Sequence, residues 1–180
     1  TGADRGDFQP WWPPITAPNM TAQGGASAMA RIDGELVIDR PVHEVFDFVA
    51  DERNEPRYNP RICRAEKLSP GPIGRGTRFR AEAVTLGQTT GMTVEYTTYE
   101  RPRRLASSIH MPAADIAGTL RFDPVANGTR MGWSWVVRPR GPYRLLTPVI
   151  VGVGRRQERE NWGGLKRFLE ARKELAPAAP

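Results

Sequence analysis

Cysteine is nearly absent: Cys63 stands alone among 180 residues, so no intramolecular disulfide forms and no cysteine cluster holds zinc. Histidine is almost as scarce. With only His43 and His110, the side chain most often used for general acid–base catalysis is in short supply. Lysine is reduced to Lys67, Lys166 and Lys173, and the net charge of +6 comes from arginines scattered among Asp and Glu along the whole chain. That scatter argues against nucleic acid as a partner. No apolar run reaches the ~20 residues that cross a bilayer. The longest, LLTPVIVGVG at 145–154, contains Pro148 and reads as a loop or lid feeding a helix. Stable membrane insertion is therefore not expected. With a lone cysteine and no secretory leader in view, the expected compartment is the cytoplasm.

Several chemistries lack their residues as well. No glycine-rich phosphate loop follows a strand, since GPIGRGT precedes one. Nothing supplies three metal ligands on one face, no Ser-His-Asp set can be argued from the positions, and no cofactor is implied.

What is present suits one domain. A chain of 180 residues with 39% hydrophobic content builds a single sizeable core. Residues 1–28 carry Pro10, Pro13, Pro14 and Pro18, several glycines and no periodic pattern, so a disordered leader is expected. Its Trp11-Trp12-Pro13-Pro14 run is either a linear docking motif or part of an extension ahead of a start at Met29. The folded domain is placed at 29–176, with a short tail at 177–180.

Within the domain, ELVID at 35–39 reads as a first strand, and Pro41 falls where a helix would place its first residue. Val42, Val45, Phe46 and Val49 recur at i, i+3, i+4 and i+7, which predicts an amphipathic helix with His43 off its buried face. DERNEPRYNP, broken by Pro56 and Pro60, allows no more than a turn of helix. Six strand-like runs then follow at close spacing, with turn signals between them, and this means an antiparallel meander. Alternation gives the inward faces. Thr77, Phe79, Ala81 and Ala83 share one face, Leu120 and Phe122 another, and Met131, Trp133, Trp135 and Val137 a third. Tyr96 shares a face with Val94 and Thr98. Leu105, Ser107, Ile109 and Met111 turn in, so His110 turns out.

The chain closes on a predicted helix from Val149 to Leu175, about 40 Å long at ~1.5 Å per residue. Val151, Gly154, Asn161, Trp162, Leu165, Phe168 and Leu169 fall in one sector of its wheel, and Glu158 falls among them. Such a carboxylate either faces an internal space holding water or ligand, or swings outward to an arginine such as Arg155.

The order of these elements resembles the helix-grip fold of the superfamily of START domains, the birch-pollen allergen and the polyketide cyclase/dehydrase group, called SRPBCC. The stretches that carry the likeness are DRPVHEVFDFVAD with RYNPRI, then GRGTRFR, TTYERPRRLASS, NGTRMGWSW and ENWGGLKRFLEA, together spanning 31–174. Tyr58 stands where many relatives carry tryptophan. The resemblance implies an α+β domain, with a seven-stranded curved antiparallel sheet wrapped around a long C-terminal helix and two short helices after the first strand. It also implies a cavity between sheet and helix that holds an apolar molecule.

On that footing the expected function is binding of a small polyketide, aromatic or lipid-like ligand. The pocket would be lined by Phe79, Ala81, Tyr96, Ser107, Ile109, Leu120, Phe122, Trp133, Trp135, Gly154, Glu158, Asn161 and Trp162. One of the two strand tryptophans is expected on the cavity and the other under the helix. Gly154 would leave room, while Tyr96, Ser107, Glu158 and Asn161 would orient the ligand. The alternative is a cyclase or dehydratase in which Glu158 acts as base and Tyr96 orients a carbonyl. A third reading is an interaction module using the basic surface and the leader. Oligomeric state is left open.

Overall fold

The computed structural model describes residues 29–174 except Leu86. The expected leader, the expected tail and the side chain of Val151 lie outside the described residues. Along the chain come β1 (Ala30–Ile38), α1 (Val42–Ala50), a 3-10 helix (Glu52–Arg57), β2 (Ile62–Lys67), β3 (Arg78–Thr85), β4 (Gln88–Glu100), β5 (Arg104–Met111), β6 (Ala114–Val125) and β7 (Gly128–Pro139). A second 3-10 helix (Gly141–Leu146) leads into α2 (Thr147–Glu174). The seven strands form one antiparallel sheet in the order β1-β7-β6-β5-β4-β3-β2. The meander β2 to β7 is closed at its far edge by β1, and α1 with the 3-10 helix carries the chain from one edge to the other. This is the helix-grip arrangement.

Local chemistry adjusts several boundaries. Pro41 is the cap residue of α1 rather than its first helical residue, and it offers no side-chain cap. The segment 147–154 is already helix. Pro148 sits in the first turn of α2, where its missing N–H would have had no intrahelical partner anyway. Between α1 and β2, six residues wind as a 3-10 helix despite Pro56. Asp51 caps it through Arg53 N–H at 3.2 Å, and Asn54 Nδ2 donates to Phe48 O at 3.0 Å. In β4 the register shifts between Tyr96 and Thr98. Thr98 consequently pairs with outward-facing Ala106 and leaves the face of Tyr96, a consequence of a bulge that simple alternation does not contain.

The core sits beneath α1 and the C-terminal half of α2. Phe46 meets Phe122 and Tyr99 edge-on, with ring centroids 5.2 and 5.3 Å apart. Leu165 and Leu169 are buried with them. α2 approaches its neighbours closely. A β-carbon on Gly164 would lie 2.4 Å from the Tyr58 carbonyl oxygen, and one on Gly154 would lie 2.6 Å from Ile32 Cδ1. Gly154 thus serves helix–strand contact as well as bordering the interior.

Candidate functional site

Under the N-terminal half of α2, packing gives way to a pocket of about 560 Å³. Its floor is the inner face of the sheet, and its walls are α2 and the first 3-10 helix. One cross-strand row organises the floor. Tyr96 on β4 faces Ser107 on β5, then Gly118 on β6, Trp135 on β7 and Ile32 on β1. The next rows toward the β5–β6 turn are apolar: Val94, Ile109, Ile116 and Val137, then Met111 and Ala114, all lining the space. Leu105 and Leu120 line the opposite side.

Both ends of the polar row meet a carboxyl group. At the β7 end, Glu158 Oε2 accepts hydrogen bonds from Trp135 Nε1 at 2.8 Å and from Trp162 Nε1 at 2.7 Å. The carboxylate therefore faces inward, and the outward pairing with Arg155 does not occur. Burial pushes its pKa up to about 7 against the pull of the two indoles, and Glu55 adds to the rise. At the β4 end, the Tyr96 hydroxyl donates to Ala50 O at 2.9 Å and lies 3.0 Å from Glu52 Oε1. The protein thus satisfies Tyr96 itself, so its hydroxyl is not free to orient a ligand carbonyl.

Glu52 and Glu55 are the residues that sequence reasoning missed. A 3-10 helix has three residues per turn, so positions three apart eclipse. Glu52, Glu55 and Tyr58 follow that spacing, and all three line the pocket. Desolvation raises both carboxyls above the usual range, Glu52 the more strongly. The charge of Glu55 adds to the rise at Glu52. Asn59 Nδ2 donates to Glu55 Oε1 at 2.9 Å. Burial likewise drives the Tyr58 and Tyr96 hydroxyls well above 10, so both stay protonated. Asn161, only 7% exposed, lines the same space, and its Oδ1 has no hydrogen-bond partner.

The structure brings Tyr96, Ser107, Ile109, Leu120, Trp135, Gly154, Glu158, Asn161 and Trp162 to the pocket wall. Phe79, Ala81, Phe122 and Trp133 are instead buried away from it. Phe79 packs on Tyr96 with centroids 5.5 Å apart, Phe122 on Phe46, and Trp133 on Trp162 at 5.9 Å. Position along a row decides this, since Phe79 and Ala81 pair with pocket-lining Val94 and Met92, and Trp133 with pocket-lining Leu120.

Both histidines are exposed. His110 nevertheless corrects one expectation, since a Ser-His-Asp sequence of contacts does exist on the outer face. Ser108 Oγ lies 3.5 Å from His110 Nε2, and His110 Nδ1 lies 2.7 Å from Asp115 Oδ1. Asp115 is also held by Arg140 at 2.8 and 2.6 Å. The backbone around Ser108 is taken up in ladders to β4 and β6, so no spare N–H pair stands by to receive an oxyanion. Among the described residues no three of His, Cys, Asp or Glu converge as metal ligands, and no helix is long and apolar enough to cross a membrane.

A curved antiparallel sheet gripping one long helix over a pocket defines the helix-grip class. Residues 29–170 match the family of polyketide cyclases/dehydrases and lipid transport, and the chain belongs to it. Among solved structures it is similar to the Zhui aromatase/cyclase from Streptomyces sp. R1128, with 15% identity over 84% of this chain and 98% of that one, at a TM-score of 0.70. It is also similar to TTHA0849 from Thermus thermophilus, with 19% identity over 79% and 98% and a TM-score of 0.69. A START superfamily protein from Mycobacterium smegmatis aligns at 17% over 82% and 99%, with a TM-score of 0.60. At such identities the likeness carries the fold alone. Comparison with curated proteins finds no match.

Proposed function

We propose that this protein binds a small, mainly apolar molecule of aromatic, polyketide or lipid-like character in the space between the sheet and α2. The observation that carries the reading is a pocket of about 560 Å³ whose floor is apolar but for one polar row. That volume lies in the range of ordinary ligand sites, and a few fixed polar groups among apolar walls are what such sites use for orientation. Burial of ligand surface would drive association at ~25 cal/mol per Å², less the cost of immobilisation.

The test is titration with N-phenyl-1-naphthylamine, a neutral dye that brightens in apolar surroundings. Saturable binding at one site is expected, with loss of that binding in Ser107→Phe and Ala83→Phe, which put bulk into the space. An absence of saturable binding, or equal binding by both variants with unchanged melting curves, would overturn the reading.

A second reading is catalysis, as in a cyclase or dehydratase. It is favoured by one observation: Glu158 combines an inward position with a pKa of about 7, suited to a general base near neutral pH. In that case Glu158→Gln abolishes turnover of a poly-β-ketone substrate.

A further inference from the structure

Hydrogen-bond accounting in the pocket is lopsided. Several inward donors are already committed: both indole N–H groups go to Glu158 Oε2, the Asn59 amide to Glu55, and the Tyr96 hydroxyl to Ala50 O. Two acceptors stand open. Asn161 Oδ1 has no partner, and among the described residues no donor reaches Glu158 Oε1. A buried acceptor without a donor is uncommon in a native protein and calls for an explanation.

Charge is lopsided in the same sense. Glu52, Glu55 and Glu158 line the space, as do Tyr58, Tyr96 and Tyr143. Among the described residues Arg61 is the one cation on the wall, and its guanidinium is paired with Glu160 on the outer side of α2. Its attraction for Glu158 is outweighed by burial. A chain of net charge +6 thus keeps three carboxyl groups in an apolar hollow with no free cation opposite them. The walls around them include Tyr58, Trp135 and Trp162, whose ring faces attract cations.

We propose that the ligand is an organic cation: a protonated amine on an apolar skeleton of roughly bicyclic or tricyclic size, its ammonium group received by Glu158, Glu55 and Asn161 Oδ1. An ammonium brings three donors and no acceptor, and its charge offsets the carboxyls, which the neutral hydroxyls of Ser107 and Tyr58 on the same wall cannot do. A hydroxyl would satisfy Asn161 but leave the carboxyls unpaired. A carboxylate, as in a fatty acid, would meet like charge. The inference rests on the binding role proposed above and specifies its ligand class.

Three probes sharing one skeleton test it: 2-(2-naphthyl)ethylamine, 2-(2-naphthyl)ethanol and 2-naphthylacetate, each competed against N-phenyl-1-naphthylamine at pH 8. The amine is expected to bind at least about tenfold more tightly than the alcohol, as one charge-assisted hydrogen bond allows, and the acid more weakly than either. Between pH 8 and 5.5 the amine's advantage should shrink as the carboxyls take up protons. In Glu158→Gln and in Glu55→Gln, with folding checked by thermal melting, the amine-to-alcohol ratio should fall about tenfold. An alcohol or acid that binds as tightly as the amine, or Gln variants that keep the full ratio, would overturn the cation assignment while leaving the pocket as a binding site. If neither the dye nor any probe binds, the binding role itself fails, and this inference with it.

Discussion

Gly118 and Trp135 stand opposite each other across the β6–β7 ladder, and a β-carbon on Gly118 would fall 1.6 Å from Trp135 Cε3. The indole therefore lies flat over the glycine, which sets its N–H against Glu158. Gly118→Ala forces the ring to move and breaks that bond. A loss of about 1–3 kcal/mol is expected from overpacking, read as a lower urea midpoint with an unchanged slope. Trp135→Leu in the same chain should recover much of it. If Gly118→Ala is neutral by itself, the seat is not as described.

Tyr96→Phe tests the other end of the row. The substitution keeps the ring against Phe79 but removes the donor to Ala50 O and the contact with Glu52. Stranding a buried carbonyl costs roughly 1–3 kcal/mol, and chemical denaturation should report a loss in that range. Unaltered stability would mean that water replaces the hydroxyl.

Much of this was legible in the residues. The alternation of Met131, Trp133, Trp135 and Val137 identified the inner face of β7, and the wheel position of Glu158 put it among apolar residues while leaving inward and outward orientations open. What alternation cannot tell is which positions of an inner face lie in packed core, since Phe79 and Trp133 share rows with the pocket-lining Val94 and Leu120. That depends on how far the sheet curves, a property of all seven strands, and so Phe79, Ala81, Phe122 and Trp133 lie in the core while Trp135 borders the pocket. Glu52 and Glu55 were lost for a different reason. At 3.6 residues per turn they do not line up with Tyr58, whereas at three per turn they do, and only the 3-10 winding reveals that spacing as a face.

Three glycines of α2 separate propensity from contact. Gly152 has open space around a would-be β-carbon, Gly154 meets the flexible end of Ile32, and Gly164 meets the Tyr58 backbone oxygen. Alanine in a helix interior is favoured by about 1 kcal/mol over glycine. Gly152→Ala should therefore raise the melting temperature, Gly154→Ala should change it little, and Gly164→Ala should lower it, because a backbone carbonyl cannot rotate away. Any other ranking of the three melts would show that α2 does not approach β1 and Tyr58 as described.

Glu158 also ties stability to pH, with a sign opposite to that of an ion-paired acid. Its pKa rises from 4.5 unfolded to about 7 folded. Between those values the folded protein retains a proton that the unfolded chain has released, so raising the pH favours unfolding. The contribution of Glu158 is complete below pH 4.5, drains away through the interval and is gone above about 7. At roughly 1.4 kcal/mol per unit, the full effect is at most about 3.5 kcal/mol. Glu52 and Glu55 are raised in the same direction, so wild type and variant both lose stability toward neutral pH. Only the difference between them isolates Glu158. Glu158→Gln keeps an acceptor for the two indoles but holds no titrating proton. Its melting temperature should exceed that of the wild type at pH 8, and the gap should close as the pH falls to 5. A gap that does not change with pH would mean that the carboxyl titrates as it does in water, and that the indole clamp does not keep it desolvated.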